Sequence, residues 1–168
     1  LTTFITAMGS TPSVEARPDV AAGKVRICIA GFKKSPNVAQ AVDLAKLIKS
    51  KHNDQYELWF WFAFKAYQTK FLPALKAEPN WDESTFAKPA GGGCTNFKDH
   101  TKAPIVWLEY PGGKKEYIGG RDFFCEWAGK KYASDAEIVK LAGGEKPLKN
   151  PGPGLRAFNF DNKSGLRP

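Results

Sequence analysis

The segment from Val25 to Lys51 constrains this chain more than any other. An apolar run, Val25-Arg26-Ile27-Cys28-Ile29-Ala30, leads into a short polar turn, Gly31-Phe32-Lys33-Lys34, and then into Ser35-Pro36. A serine side chain accepts from the free N–H groups of a first helical turn, and proline fits the first helical position, where its missing N–H is not needed. Ser35-Pro36 therefore reads as a helix start. Beyond it Val38, Ala41, Val42, Ala45 and Ile48 recur at spacings of three and four and draw one apolar face. A strand thus feeds a helix through a tight turn at the helix N-terminus. In α/β proteins such turns carry anion-binding and nucleophile chemistry.

The remaining pattern extends this unit. Ser50 to Gln55 is a polar turn, and Tyr56 to Phe62 reads as a second strand. Strand, helix and strand in that order imply parallel pairing through a right-handed crossover. Phe64, Tyr67, Phe71, Leu72 and Leu75 then repeat at helical spacing, with Pro73 as a kink or break, and read as a core stripe. Glu78 to Lys102 is irregular and long for a connection, which predicts short helical turns or a surface cover. Its Gly91-Gly92-Gly93 is no phosphate loop, because no Lys-Ser/Thr pair follows. Ile105 to Tyr110 reads as a third strand, Pro111-Gly112-Gly113 as a hairpin turn and Lys115 to Ile118 as the partner strand. Arg121 to Lys131 carries Phe124, Trp127 and Ala128 at helical spacing. Ser134-Asp135-Ala136-Glu137 reads as a capping box opening a last short helix that ends at Gly143-Gly144.

With 168 residues, 42% hydrophobic and 13% aromatic, the chain is long and apolar enough for one domain with its own core. No apolar run approaches the roughly 18 residues of a spanning helix, so no transmembrane helix is expected. A net charge of +8 favours acidic partners, either protein faces or an anionic membrane surface, although lysines spread along the chain read first as a solvated basic surface. The lysines come in ones and twos, with no Arg-rich block, so nucleic acid is not expected. Cys28, Cys94 and Cys125 form no C-x-x-C pair, and neither a metal site nor a dithiol motif is expected. Cys28 in a strand and Cys125 in an aromatic helix read as core thiols, and Cys94 as a loop thiol.

Residues 1–23 read as an extended arm, residues 24–144 as the domain, and residues 145–168 as a second, Pro/Gly-rich extended arm. Phe4, Phe158 and Phe160 are the apolar side chains expected to anchor these arms, on their own domain or on neighbouring chains. The chain opens on Leu1, and its first residues are poor in acid and rich in Thr, Ser, Ala and Pro, the composition of the tail of a removed targeting segment. An organelle, plastid or mitochondrion, peripheral to a membrane, is the expected location, with the cytosol as the alternative.

The order strand, helix, strand, helix, hairpin, helix resembles the thioredoxin fold, and its glutaredoxin branch in particular. Ser35-Pro36-Asn37-Val38 occupies the place of the redox Cys-Pro-Tyr-Cys motif. Lys102-Ala103-Pro104-Ile105 resembles the segment carrying that family's cis-proline, and Ile118-Gly119-Gly120-Arg121-Asp122 its Gly-Gly-x-Asp turn. Between Val25 and Ala142 the chain is similar to the glutaredoxin-like N-terminal domain of a divergent malate dehydrogenase paralogue, through Pro104 to Trp107 and Gly119 to Phe124. No G-x-G-x-x-G follows a strand. The resemblance implies an α/β, thioredoxin-like fold, with a central mixed four-stranded sheet flanked by helices, and a cis bond at Ala103-Pro104.

The departure from the family bears on function. Dithiol exchange needs a thiolate nucleophile and a resolving thiol, and here those positions are Ser35 and Val38. No catalytic residue and no resident cofactor are therefore expected, and the chain reads as a redox-inactive structural or interaction subunit of a larger protein assembly. The alternative is a glutathione-binding protein or weak transferase. In it, the resemblance implies that Ser35 would stabilise the glutathione thiolate beside Ala103 and Pro104. Lys33 and Lys34 would hold a carboxylate, and Gly119, Gly120 and Asp122 would receive the γ-glutamyl end. Against it stands an ordinary use for each residue: Ser35 as helix cap, the lysines as surface charge, Asp122 as cap of the next helix.

Overall fold

The structure, a computed structural model, describes residues 16–89 and 96–143. The expected anchors Phe4, Phe158 and Phe160, together with Cys94, the Gly91–Gly93 run and the second arm, lie outside the described residues.

The domain is α/β and thioredoxin-like. Strand β1 (Val25–Phe32) leads into helix α1 (Pro36–Lys51) and strand β2 (Tyr56–Ala63). A π-helical turn (Tyr67–Phe71) runs into a short helix α2 (Leu72–Lys76). After a 3₁₀ turn at Glu83–Thr85 come β3 (Ile105–Glu109), β4 (Lys115–Gly119), α3 (Arg121–Lys131) and α4 (Ala136–Gly143). The sheet has the order β2-β1-β3-β4, with β1 and β2 parallel and the other two pairs antiparallel.

Both faces of the sheet are buried, and the period of two along each strand divides them. Ile27 and Ile29 of β1, Phe60 and Phe62 of β2, and Val106 and Leu108 of β3 face α1, α3 and α4. Cys28 and Ala30, Trp59, and Ile105 and Trp107 face the opposite way, onto Tyr67, Phe71 and Leu75. Strands covered on both sides read as near-continuous apolar runs, which is how β1 and β2 appear in the sequence.

Helix α1 starts as its sequence dictates. Ser35 is the N-cap, and its side chain accepts from the Val38 N–H at 3.4 Å. Val38, Ala41, Val42, Ala45 and Ile48 are all fully buried. Two expectations need correction. The aromatic stripe begins one turn late: Tyr67 N–H donates to the Phe64 carbonyl, which leaves Phe64 ahead of the first turn and 53% exposed. Pro73 stands where the π-helical turn gives way to α2, one residue into the short helix. The last helix is capped by Asp135, not Ser134: Asp135 Oδ1 accepts from the N–H groups of Glu137 and Ile138, both at 3.1 Å.

Candidate functional site

The site that the sequence singles out lies where the chain leaves β1, enters α1 and passes Pro104. The Ala103–Pro104 peptide is cis. Gly31 explains how closely these pieces meet. A Cβ at Gly31 would lie 2.6 Å from Val38 Cγ2 and 3.1 Å from Ala103 Cβ, so only glycine lets α1 and the proline loop converge on the end of β1.

The proline loop is held from beneath by polar groups. The Tyr67 hydroxyl donates to the Lys102 carbonyl at 2.6 Å. His100 is fully buried, with Nε2 2.8 Å from the Lys102 carbonyl and 3.1 Å from the Pro104 carbonyl. Carbonyls only accept, so Nε2 carries the proton, and Nδ1 accepts from the Tyr117 hydroxyl at 2.6 Å. Burial, seconded by the Lys76 ammonium and opposed by the two carbonyls, pushes His100 down to about 4. His100 is thus a neutral strut. Sequence reasoning passed over it, since a lone His in an irregular segment carries no spacing signal.

The predicted site residues divide into two groups. Ala103, Pro104, Gly120 and Asp122 meet around one small depression, joined by Asn37, Lys102, Arg121 and Phe123. It encloses about 80 Å³, well below the roughly 300 Å³ at which pockets begin to envelop a drug-sized ligand. Gly119 stands behind it with φ +125°, where a Cβ would strike Phe123 at 2.8 Å. The second group, Lys33 and Lys34, lies apart from the depression, and the Lys34 ammonium stands 5.9 Å from the centre of the Phe64 ring.

Ser35, Val38 and Asp122 each have a settled local role. Ser35 caps α1. Val38, at the resolving position, is fully buried beneath Gly31 and the proline loop. Asp122 does not cap α3: the N-cap is Gly120, without a side-chain bond, and Asp122 Oδ1 lies 2.7 Å from Arg121 Nε in the first turn. Arg121 also donates through Nη1 to Gln40 at 2.9 Å, and Gln40 donates to the Leu141 carbonyl at 3.1 Å, tying α1, α3 and α4 together. Asn37 Oδ1 is buried without a hydrogen-bond partner at the edge of the depression.

The two described thiols belong to the core. Cys28 is fully buried, and burial first, then the Glu109 charge, raises its thiol well above the ordinary value. Burial pushes Cys125 up to about 11. A thiol acts as a nucleophile through its thiolate, so neither is poised for exchange near neutral pH. No group of three or more potential metal ligands occurs among the described residues, and no described helix is long and apolar enough to cross a membrane. No known protein-family model matches the chain, and no curated protein matches it.

Proposed function

We propose that this chain is a redox-inactive, thioredoxin-like interaction subunit of a larger protein assembly, related to the glutaredoxin-like domain of the malate dehydrogenase paralogue. One observation carries the reading. The two positions that would exchange thiols hold a serine bonded to its own helix and a valine with no exposed surface. Neither has sulfur, and neither described thiol substitutes for them. A fold kept without its chemistry is kept for its surface, and a +8 chain offers that surface to acidic partners. An organellar location, peripheral to a membrane, accords with the acid-poor N-terminal composition. Size-exclusion of the native extract, followed with an antibody, tests the proposal. Elution far above the mass of one chain is expected, and elution as a single chain would overturn it.

A second reading has its own observation. Asn37 Oδ1 is buried and unbonded beside a depression lined by Lys102, Ala103, Pro104, Gly120 and Asp122. A γ-glutamyl amine or amide N–H placed there would satisfy that oxygen. A rise in melting temperature as glutathione is titrated in would support glutathione binding, and no shift at millimolar glutathione would remove it.

A further inference from the structure

The irregular segment after α2 closes the outer edge of β4 and builds a groove beside it. Lys115 N–H donates to the Asn80 carbonyl and Asp82 N–H to the Lys115 carbonyl, both at 2.8 Å, and Tyr117 N–H donates to Thr85 Oγ1 at 3.0 Å. This zipper gathers three aromatic rings into one platform. Phe86 and Phe97 stack with centres 4.3 Å apart, and the Trp81 ring lies 4.4 Å from Phe97. Phe97 is buried, while Trp81 and Phe86 stay half-buried and line a groove of about 310 Å³. Most charged groups around it are committed. Glu78 pairs with Arg17 and Lys115, Asp82 with Lys114, and the Lys76 ammonium donates to the carbonyls of Lys98 and His100. Asn80, Glu83 and Lys98 also line the groove and are exposed, and their side chains make no hydrogen bond or ion pair among the described residues.

We infer that this groove docks a proline-rich, extended segment of a partner protein, with a basic residue beside Glu83 and an acidic one beside Lys98. The inference rests on the interaction-subunit reading and names a surface for it. Three features select the occupant. An added β-strand needs a free sheet edge, and residues 80–85 already occupy the outer edge of β4. An α-helix is roughly 10 Å wide and would bridge a groove of this size. A polyproline II segment is narrower, holds its shape without internal hydrogen bonds and seats its rings on aromatic side chains. Its backbone carbonyls stay open to donors, and the Asn80 carboxamide supplies one. Charge complementarity fixes the flanks, because a carboxylate and an ammonium stand on the same groove and each calls for its opposite.

The test uses the full chain and a labelled synthetic peptide, Arg-Pro-Pro-Leu-Pro-Pro-Glu. Binding by fluorescence anisotropy is expected. Glu83→Lys should weaken it by on the order of tenfold, and a peptide with Glu at both ends should recover the loss. Asn80→Gly removes only the carboxamide, since glycine accepts the φ of 69° that Asn80 holds, and should weaken binding by roughly threefold or more. Glu126→Lys, at an exposed carboxylate on α3, serves as the charge control, and melting curves establish that each variant is folded. Equal peptide binding by Glu83→Lys and the control would overturn the inference. So would equal binding of a peptide with alanine at every proline. Size-exclusion of the native extract separates this from the reading beneath it. If the native chain elutes in an assembly and an Asn80→Gly/Glu83→Lys variant joins that assembly unimpaired, the surface is wrong and the subunit reading stands. If the native chain elutes alone, the subunit reading itself fails.

Discussion

The two ends of the sheet treat charge in opposite ways. At the end where β1 and β2 begin, six ionisable side chains alternate in sign as Glu57, Arg26, Glu109, Arg17, Glu78 and Lys115. Successive N–O distances are 2.9, 3.1, 2.7, 2.6 and 3.4 Å. Arg17, Arg26 and Glu109 are nearly buried, Arg17 stands 5.1 and 5.5 Å from the ring centres of Trp59 and Trp107, and the Trp107 indole N–H donates to Glu109 at 3.0 Å. At the other end Lys33, Lys34, Lys65 and Lys102 stand in segments with no acidic residue. Desolvating a charge costs several kcal/mol, so a buried cluster persists only when each member is paired, which enforces the alternation. A charge that keeps its contact with water carries no such constraint. One end uses its charge to hold residues 16–20 and the irregular segment after α2 onto the sheet.

The sharpest way to break this comparison is Glu109→Ala. It strips a carboxylate from between Arg17 and Arg26 and leaves both guanidiniums short of a buried partner. A loss on the order of 3–5 kcal/mol is expected in urea unfolding, against a change within about 0.5 kcal/mol for Lys65→Glu at the other end, where the side chain is exposed. If both ends respond alike, charge at the first end is no more structural than charge at the second.

The next effect sharpens what lies beneath the proline loop. His100 is neutral in the fold with its pKa pushed to about 4, while in the unfolded chain it titrates near 6.5. A depressed folded-state pKa gives stability that is complete above the unfolded value and is lost as pH falls toward the folded one. Stability should therefore decline between about pH 6.5 and pH 4, by on the order of 3 kcal/mol. Urea midpoints across that range test it, and His100→Asn should flatten the slope. Glu57 adds loss only at lower pH. Burial raises its carboxyl, but the Ala21 N–H and Arg26 outweigh it and hold it below the ordinary value.

Much of this was legible in the sequence. Ser35-Pro36 and the Val38–Ile48 stripe placed α1, because capping and helical period act locally and their partners are near in sequence. The same holds for the Gly112-Gly113 turn, where both φ values are positive. Ala103–Pro104 was found by resemblance. Long-range polar pairing was not legible. Arg17 and Glu109 are 92 residues apart, and nothing in a one-dimensional pattern announces that they touch. Phe64 was assigned to the core because its spacing fits a helix, but the chain is still turning off β2 at that residue. Asn37, Arg121 and Phe123 join the depression only because the starts of α1 and α3 are brought side by side by tertiary packing.

Two smaller effects probe the junction between the proline loop and α1. Gly31→Ala must push Val38 or Ala103 aside and should cost about 1–3 kcal/mol. Combining it with Val38→Ala, which vacates the clashing methyl, should recover part of that loss, and strict additivity would show that the contact does not define the junction. Ser35→Ala removes a single long capping bond and should cost about 1 kcal/mol or less. A markedly larger loss in thermal unfolding would mean that Ser35 does more than cap α1.

The central claim is that the Ser35 end has kept its shape without its thiol chemistry. The most direct measurement is reduction of a glutathione mixed disulfide by the intact chain, followed as NADPH oxidation with glutathione and glutathione reductase in excess. With serine bonded to its own helix and valine sealed beneath the proline loop, the rate should equal that without the chain. Turnover clearly above that background, abolished by Cys94→Ser, would contradict the account and show that the chemistry had moved to another residue.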